Sequence, residues 1–147
     1  MNQKAIHNII LILIIVNILL SFMSYLAVEI DGALCILKSD CEGVQKSIYG
    51  EIFGIEVSLI GVIAFVLLLL VYSFALRHRD FYSYFVITNL IGVVGSLWFI
   101  YVQLFKLGKI CLSCMIIDSI MIIIFALSVY EFFKYKKDFK SIKSYFR

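Results

Sequence analysis

Four long apolar runs, separated by short polar stretches, dominate the chain. They cover residues 6–28, 57–76, 82–105 and 110–133. About 20 apolar residues of helix are enough to cross the hydrocarbon of a bilayer. None of the runs alternates apolar and polar residues with a period of two, so the pattern predicts helices. In lipid only helices and closed barrels satisfy every backbone group. The predicted fold is all-α, a four-transmembrane-helix bundle forming a single membrane domain over residues 1–147. The first run is too long for the core of a signal peptide and has no clear small-residue cleavage site, so it reads as a retained span.

The connections are short except for residues 29–56. Within that loop Val44, Ile48 and Ile52 recur at i, i+4 and i+8, with Tyr49 and Phe53 beside them and Gln45, Lys46 and Glu51 on the other face. This spacing predicts a short amphipathic helix, lying on the membrane surface or over the bundle as a lid.

Composition supports the membrane reading. The chain is 63% hydrophobic, with a mean hydropathy of +1.05 and no proline. A soluble domain is nearer half apolar. The net charge of +3 could signal nucleic acid, but the basic residues lie at the ends of the runs and in the tail, so no nucleic-acid partner is expected. Their distribution sets an orientation instead. With a cytoplasmic N-terminus, nine of the thirteen Lys and Arg residues lie inside: Lys4, Arg77, Arg79, Lys134, Lys136, Lys137, Lys140, Lys143 and Arg147. Lys38, Lys46, Lys106 and Lys109 lie outside, beside the acidic Glu29, Asp31, Asp40, Glu42, Glu51 and Glu56. Both termini are therefore expected in the cytoplasm, with a basic tail over 134–147 near lipid headgroups. Tyr72, Tyr82, Tyr84, Tyr130 and Tyr135 at the inner face, and Tyr25, Trp98 and Tyr101 at the outer, read as interfacial belts.

That orientation puts all four cysteines on or near the outer face, where disulfides persist. Cys35 and Cys41 lie in the long loop; Cys111 and Cys114 form Cys-Leu-Ser-Cys where the fourth run begins. Four cysteines allow three pairings, of which sequence position favours 35–41 and 111–114 in one state. At a helix N-terminus the unsatisfied amides and the dipole favour an anion, the form in which a cysteine attacks a disulfide. Gly108 lets the chain turn into that helix. A loop pair beside a helix-terminal pair therefore suits disulfide exchange. The bland alternative is two static disulfides, yet so small a loop as Cys111–Cys114 gains little from closure. A four-thiolate zinc site lacks a second set of suitably spaced ligands, so no metal is expected.

These residues resemble the vitamin K epoxide reductase-like family. The likeness rests on Cys35-x5-Cys41, Ser47, Tyr49, Phe53-Gly54-Ile55, Ser58, Gly61 and Cys111-Leu-Ser-Cys114, and spans nearly the whole chain. The order differs from the DsbB type, whose Cys-x-x-Cys comes in the first outer loop. The resemblance implies a quinone-dependent thiol oxidoreductase that supports disulfide formation outside the cytoplasm. Cys35 would exchange with a thioredoxin-like (DsbA-type) protein and Cys41 would relay to Cys111. Cys114 would then be left as the thiolate facing the quinone, with Ser47 near the quinone pocket. A monomer in a prokaryotic plasma (inner) membrane is expected, with a ubiquinone, menaquinone or vitamin K type acceptor. The chain ends at Arg147 without a thioredoxin-like domain, so the partner is expected to be a separate protein. Glu56 stands where the family commonly has proline. Asp118 stands where some members have tyrosine, which favours a respiratory quinone over vitamin K epoxide. Rival readings are a vitamin K quinone or epoxide reductase, an outer-facing thiol reductase or metal-handling protein drawing electrons in the opposite direction, and a non-enzymatic membrane subunit with structural disulfides.

Asp118 is singled out as an ionisable residue within a span. It follows Cys114 by four residues and Cys111 by seven, which puts all three on one helix face. Because quinone reduction consumes protons, Asp118 is a candidate to deliver one. The alternative is an acid hydrogen-bonded to Asn89 or Gln103. His7 and His78 read as interfacial bystanders. Asn17, Ser21 and Ser24 read as interhelical hydrogen-bonding groups, and Gly92, Gly95 and Ser96 as a close packing surface.

Overall fold

The computed structural model describes residues 3–29, 44, 47–52, 54–78 and 81–145. Helix α1 spans Gln3–Glu29, α2 Val57–Arg77, α3 Tyr82–Tyr101 and α4 Leu112–Tyr145. Helix α3 runs on into a wider π-helical segment, Val102–Leu107. Four stretches are long and apolar enough to cross a membrane: Lys4–Leu26, Val57–Arg77, Tyr82–Leu107 and Leu112–Lys134. They match the predicted runs to within a few residues. The basic tail continues α4 as helix to Tyr145.

The helices pack as a ring. Helix α1 contacts α2 and α4, and α3 contacts the same two. Each helix buries a narrow stripe at three- and four-residue spacings. On α1 the stripe is Ile6, Ile10, Ile14, Asn17, Ser21 and Ser24; on α2 it is Phe65, Leu68, Tyr72 and Ala75. The outward faces are also apolar: Ile12, Leu19, Leu67, Ile91 and Val94 are all more than half exposed. A helix apolar on every side belongs in lipid. At Gly92 a side chain would strike the end of Met121, so α3 and α4 approach closely there, whereas Gly95 faces open space.

The loop before α2 departs from the expected amphipathic helix. Val44 is helical, but Ser47–Gly50 forms a turn, and Glu51–Ile52 (β1) pairs antiparallel with Ile55–Glu56 (β2). Local groups explain why the helical spacing loses. The Ser47 hydroxyl donates to the Val44 carbonyl at 2.6 Å, and the Gly50 N–H donates to the Ser47 carbonyl at 2.8 Å. Gly54 has a φ of 78°, a left-handed conformation that glycine adopts without penalty. The Val57 N–H donates to the Gly50 carbonyl at 2.9 Å, which closes the hairpin directly onto α2.

Candidate active site

The Cys-x-x-Cys motif sits at the junction between α3 and α4, and three local features fix it. Gly108 ends the π-helical segment in the left-handed region, with a φ of 59°. That conformation turns the chain back toward α4. The widened turn leaves Gln103 buried, and its side-chain oxygen accepts the Cys111 N–H at 3.1 Å. Cys111 then occupies the N-cap position of α4, the place usually held by Ser, Thr, Asp or Asn. Its sulfur accepts the Cys114 N–H at 3.3 Å, and its carbonyl accepts the Met115 N–H at 3.0 Å. Negative charge on that sulfur would meet both the capping amide and the positive end of the helix dipole.

The two sulfurs of the motif face different surroundings. Cys111 is fully buried and packs against Val44, with Leu107 and Cys114 beside it. Cys114, nearly one turn further on, is half-buried and lines a cavity of about 390 Å³ between the helices. The walls are mainly apolar, with Phe65, Leu68, Ile91 and Phe99 among them. The polar groups on the walls are few: Ser21, Ser24, Tyr49, Ser58, Thr88, Ser96, Gln103 and Asp118. A cavity of this size and character suits a flat organic ligand with a small number of polar atoms.

Asp118 shares the cavity wall with Cys114. It is buried, and its carboxyl interacts with the Ser96 hydroxyl of α3. Neither suggested partner is used in that way. Asn89 donates to the Phe85 carbonyl at 3.1 Å, and Gln103 holds the Cys111 amide. Ser47 does not line the cavity; Tyr49 and Gly50, which follow it in the turn, do. Cys35 and Cys41 lie outside the described residues. Gln103 was singled out only as a partner for Asp118; its role at Cys111 depends on the π-helical turn, which has no obvious sequence signal.

The vitamin K epoxide reductase family model matches residues 8–129. The chain belongs to the vitamin K epoxide reductase family. The match takes in most of the four spans, both cysteine pairs and Asp118. No curated protein matches the chain. Membership makes this an integral membrane oxidoreductase, of the general kind that handles thiols and quinones. A family that acts on quinones is consistent with the cavity beside Cys114.

A second polar centre was not anticipated. At the end of the bundle away from Cys111 and Cys114, His7, Tyr72, Tyr82 and Glu131 converge from all four helices. His7 Nδ1 lies 2.9 Å from the Tyr72 hydroxyl and 3.2 Å from Glu131 Oε2. The Tyr82 hydroxyl lies 3.2 Å from the same carboxyl oxygen and 3.3 Å from the Ser128 carbonyl. Tyr72 also donates to the His7 carbonyl at 3.2 Å. His7 is therefore no bystander. Tyr72 is buried rather than interfacial and Tyr82 is turned partly inward, while Tyr84 and Tyr130 are exposed as a belt requires.

Proposed function

We propose that the protein is a quinone-dependent thiol oxidoreductase that supports disulfide formation outside the cytoplasm. Its cysteine end faces out and both termini face the cytoplasm, as the distribution of Lys and Arg favours. A separate thioredoxin-like protein supplies the dithiol, and a quinone entering from lipid accepts the electrons.

One observation carries this reading. Cys111 packs against Val44, which follows Cys41 by three residues, while Cys114 opens on the apolar cavity. Three residues of chain reach at most about 10 Å. That limit supports the reading in which Cys41 exchanges with Cys111 and the quinone sits beside Cys114.

The exchange then proceeds in balanced steps. The partner's thiolate attacks Cys35 of a Cys35–Cys41 disulfide, and Cys41 leaves as a thiolate. The partner closes its own disulfide, which returns Cys35 as a thiol. Cys41 attacks Cys111 of the Cys111–Cys114 disulfide, forming Cys41–Cys111 and releasing Cys114 into the cavity. Cys35 attacks Cys41 of that disulfide, which re-forms Cys35–Cys41 and releases Cys111 as a thiolate. Cys111 and Cys114 then close their disulfide as two electrons pass to the quinone, which takes up two protons and leaves as quinol. The net change is partner dithiol plus quinone to partner disulfide plus quinol. In this scheme Cys111 exchanges sulfur with the loop, Cys114 faces the acceptor, and Asp118 hands a proton toward it.

The test is quinone absorbance with purified protein in detergent. The donor is either a reduced thioredoxin-like protein or a small dithiol. Wild type is expected to consume quinone with both donors. A protein inert toward benzoquinones and naphthoquinones, with its disulfides intact, would overturn the proposal.

A further inference from the structure

The second polar centre has no part in the electron path, and both His7 and Glu131 fall outside the matched residues 8–129. Its geometry is graded from outside to inside. The His7 side chain is 32% exposed, whereas that of Glu131 is 5% exposed. One Glu131 oxygen is held by His7 and Tyr82; the other, Oε1, is fully buried and lacks a hydrogen-bond partner among the described residues. Glu131 lies three residues before the end of the fourth span, close to one membrane surface but enclosed by protein. Among the described residues, Tyr72 and Tyr82 face Glu131 directly, and Lys4, Arg77, His78, Tyr84, Tyr130 and Lys134 are the other charged or titratable groups at this end.

From this centre a line of polar side chains leads toward the cavity. On α3 and its π-helical continuation, Tyr82, Asn89, Ser96 and Gln103 recur every seven residues, which brings them to one side at steps of about 10 Å. The first touches Glu131, the third touches Asp118 and the fourth holds Cys111. Between the two ends, Asn89 Oδ1 and Asn17 Oδ1 are buried acceptors without partners among the described residues. Asn17 lies at the level of Asp118, since its amide donates to the Ile117 carbonyl at 3.3 Å. Buried acceptors of this kind are the groups that internal water uses.

We propose that His7 and Glu131 form a proton entrance. The protons that reduce the quinone enter from the side of the membrane opposite the cysteines, pass His7 and Glu131, and follow the interior polar line to Asp118 and the cavity. This rests on the quinone-reductase reading. Oxidising one dithiol releases two electrons and two protons at the cysteine end. The quinone takes both electrons there but draws its two protons from the opposite side, so each quinol formed moves two positive charges across the membrane. Intramembrane carboxyl and imidazole groups serve proton relays elsewhere, and here they stand at the mouth of a line that ends at the acceptor.

The experiment places the full-length protein in quinone-loaded vesicles with a pH-sensitive dye trapped inside. A reduced thioredoxin-like protein is added outside, so only molecules with outward-facing cysteines turn over. Potassium with valinomycin holds the membrane potential at zero. Quinol formation and lumenal pH are recorded together. The expected result is lumenal alkalinisation of two protons per quinol, abolished by a protonophore. Glu131→Gln is expected to slow it about tenfold or more. His7→Gln, which keeps a polar group near Tyr72, is expected to slow it as well. Quinol formation without lumenal alkalinisation overturns the proton entrance alone. So does alkalinisation that neither substitution changes. No quinol from any quinone overturns the oxidoreductase reading and the entrance with it.

Discussion

The two ends of the bundle handle polar groups in opposite ways. At the cysteine end they border open space: Cys114, Asp118, Ser58 and Ser96 line an apolar cavity, and the backbone around them is irregular. That end has the π-helical turn at Val102–Leu107, the left-handed Gly108 and the two-stranded hairpin. At the other end, His7, Tyr72, Tyr82 and Glu131 are knotted together by contacts of 2.9–3.2 Å, and every group sits on regular helix. Irregular backbone at membrane depth is tolerated where it borders a cavity or is buried in protein. On the proposed reading, the first end is where a quinone comes and goes, and the second is where groups hold fixed positions and pass only protons.

Substitutions should break this contrast in a definite order. Cys114→Ala should abolish quinone consumption with every donor, because no thiolate remains at the cavity. Cys35→Ala should abolish it with the protein donor and spare part of it with a small dithiol that reaches Cys41. Asp118→Asn should slow quinone reduction by about a hundredfold. Rapid-mixing measurement of partner oxidation should show the first thiol exchange unchanged, and unchanged quinone turnover would remove Asp118 from the proton path. Gln103→Met leaves the buried Cys111 N–H without its acceptor, at a cost of about 1–3 kcal/mol. Gln103→Glu keeps an acceptor and should lose less on thermal unfolding in detergent. Gly108→Ala should cost about 1 kcal/mol through its left-handed backbone, with slower exchange at the cysteine end and no change in proton entry at the other.

Much of the fold could be read from hydropathy, because a span needs only length and an apolar surface. The helix boundaries at 57–76 and 82–105 fall close to the observed Val57–Arg77 and Tyr82–Leu107 for that reason. The loop after Val44 could not be read so. Its i, i+4, i+8 spacing is genuine, but Gly50, Gly54 and the Ser47 hydroxyl stabilise a turn and hairpin that outweigh a weak periodic signal. At the candidate site, the i, i+4 relation of Cys114 and Asp118 carried through to a shared cavity wall. The partner of Asp118 did not, because Asn89 and Ser96 share one face of α3, and choosing between them requires the height at which α3 packs against α4. The second centre left a trace that went unused. Glu131 lies inside the fourth apolar run, where any carboxylate calls for a partner. Tyr72 and Tyr82 were assigned to the membrane interface by position along the chain, which does not reveal the face a residue occupies.

The central claim is that the loop cysteine meets Cys111 while Cys114 alone faces the quinone. Disulfide mapping of Cys114→Ala, purified after reduction and mild reoxidation and digested without reductant, tests it most directly. A Cys41–Cys111 linkage as the main product, with Cys35 left as a thiol, is the predicted result. A Cys35–Cys41 linkage accompanied by unreacted Cys111 would contradict the account, because the loop and the Cys-x-x-Cys motif would then not communicate.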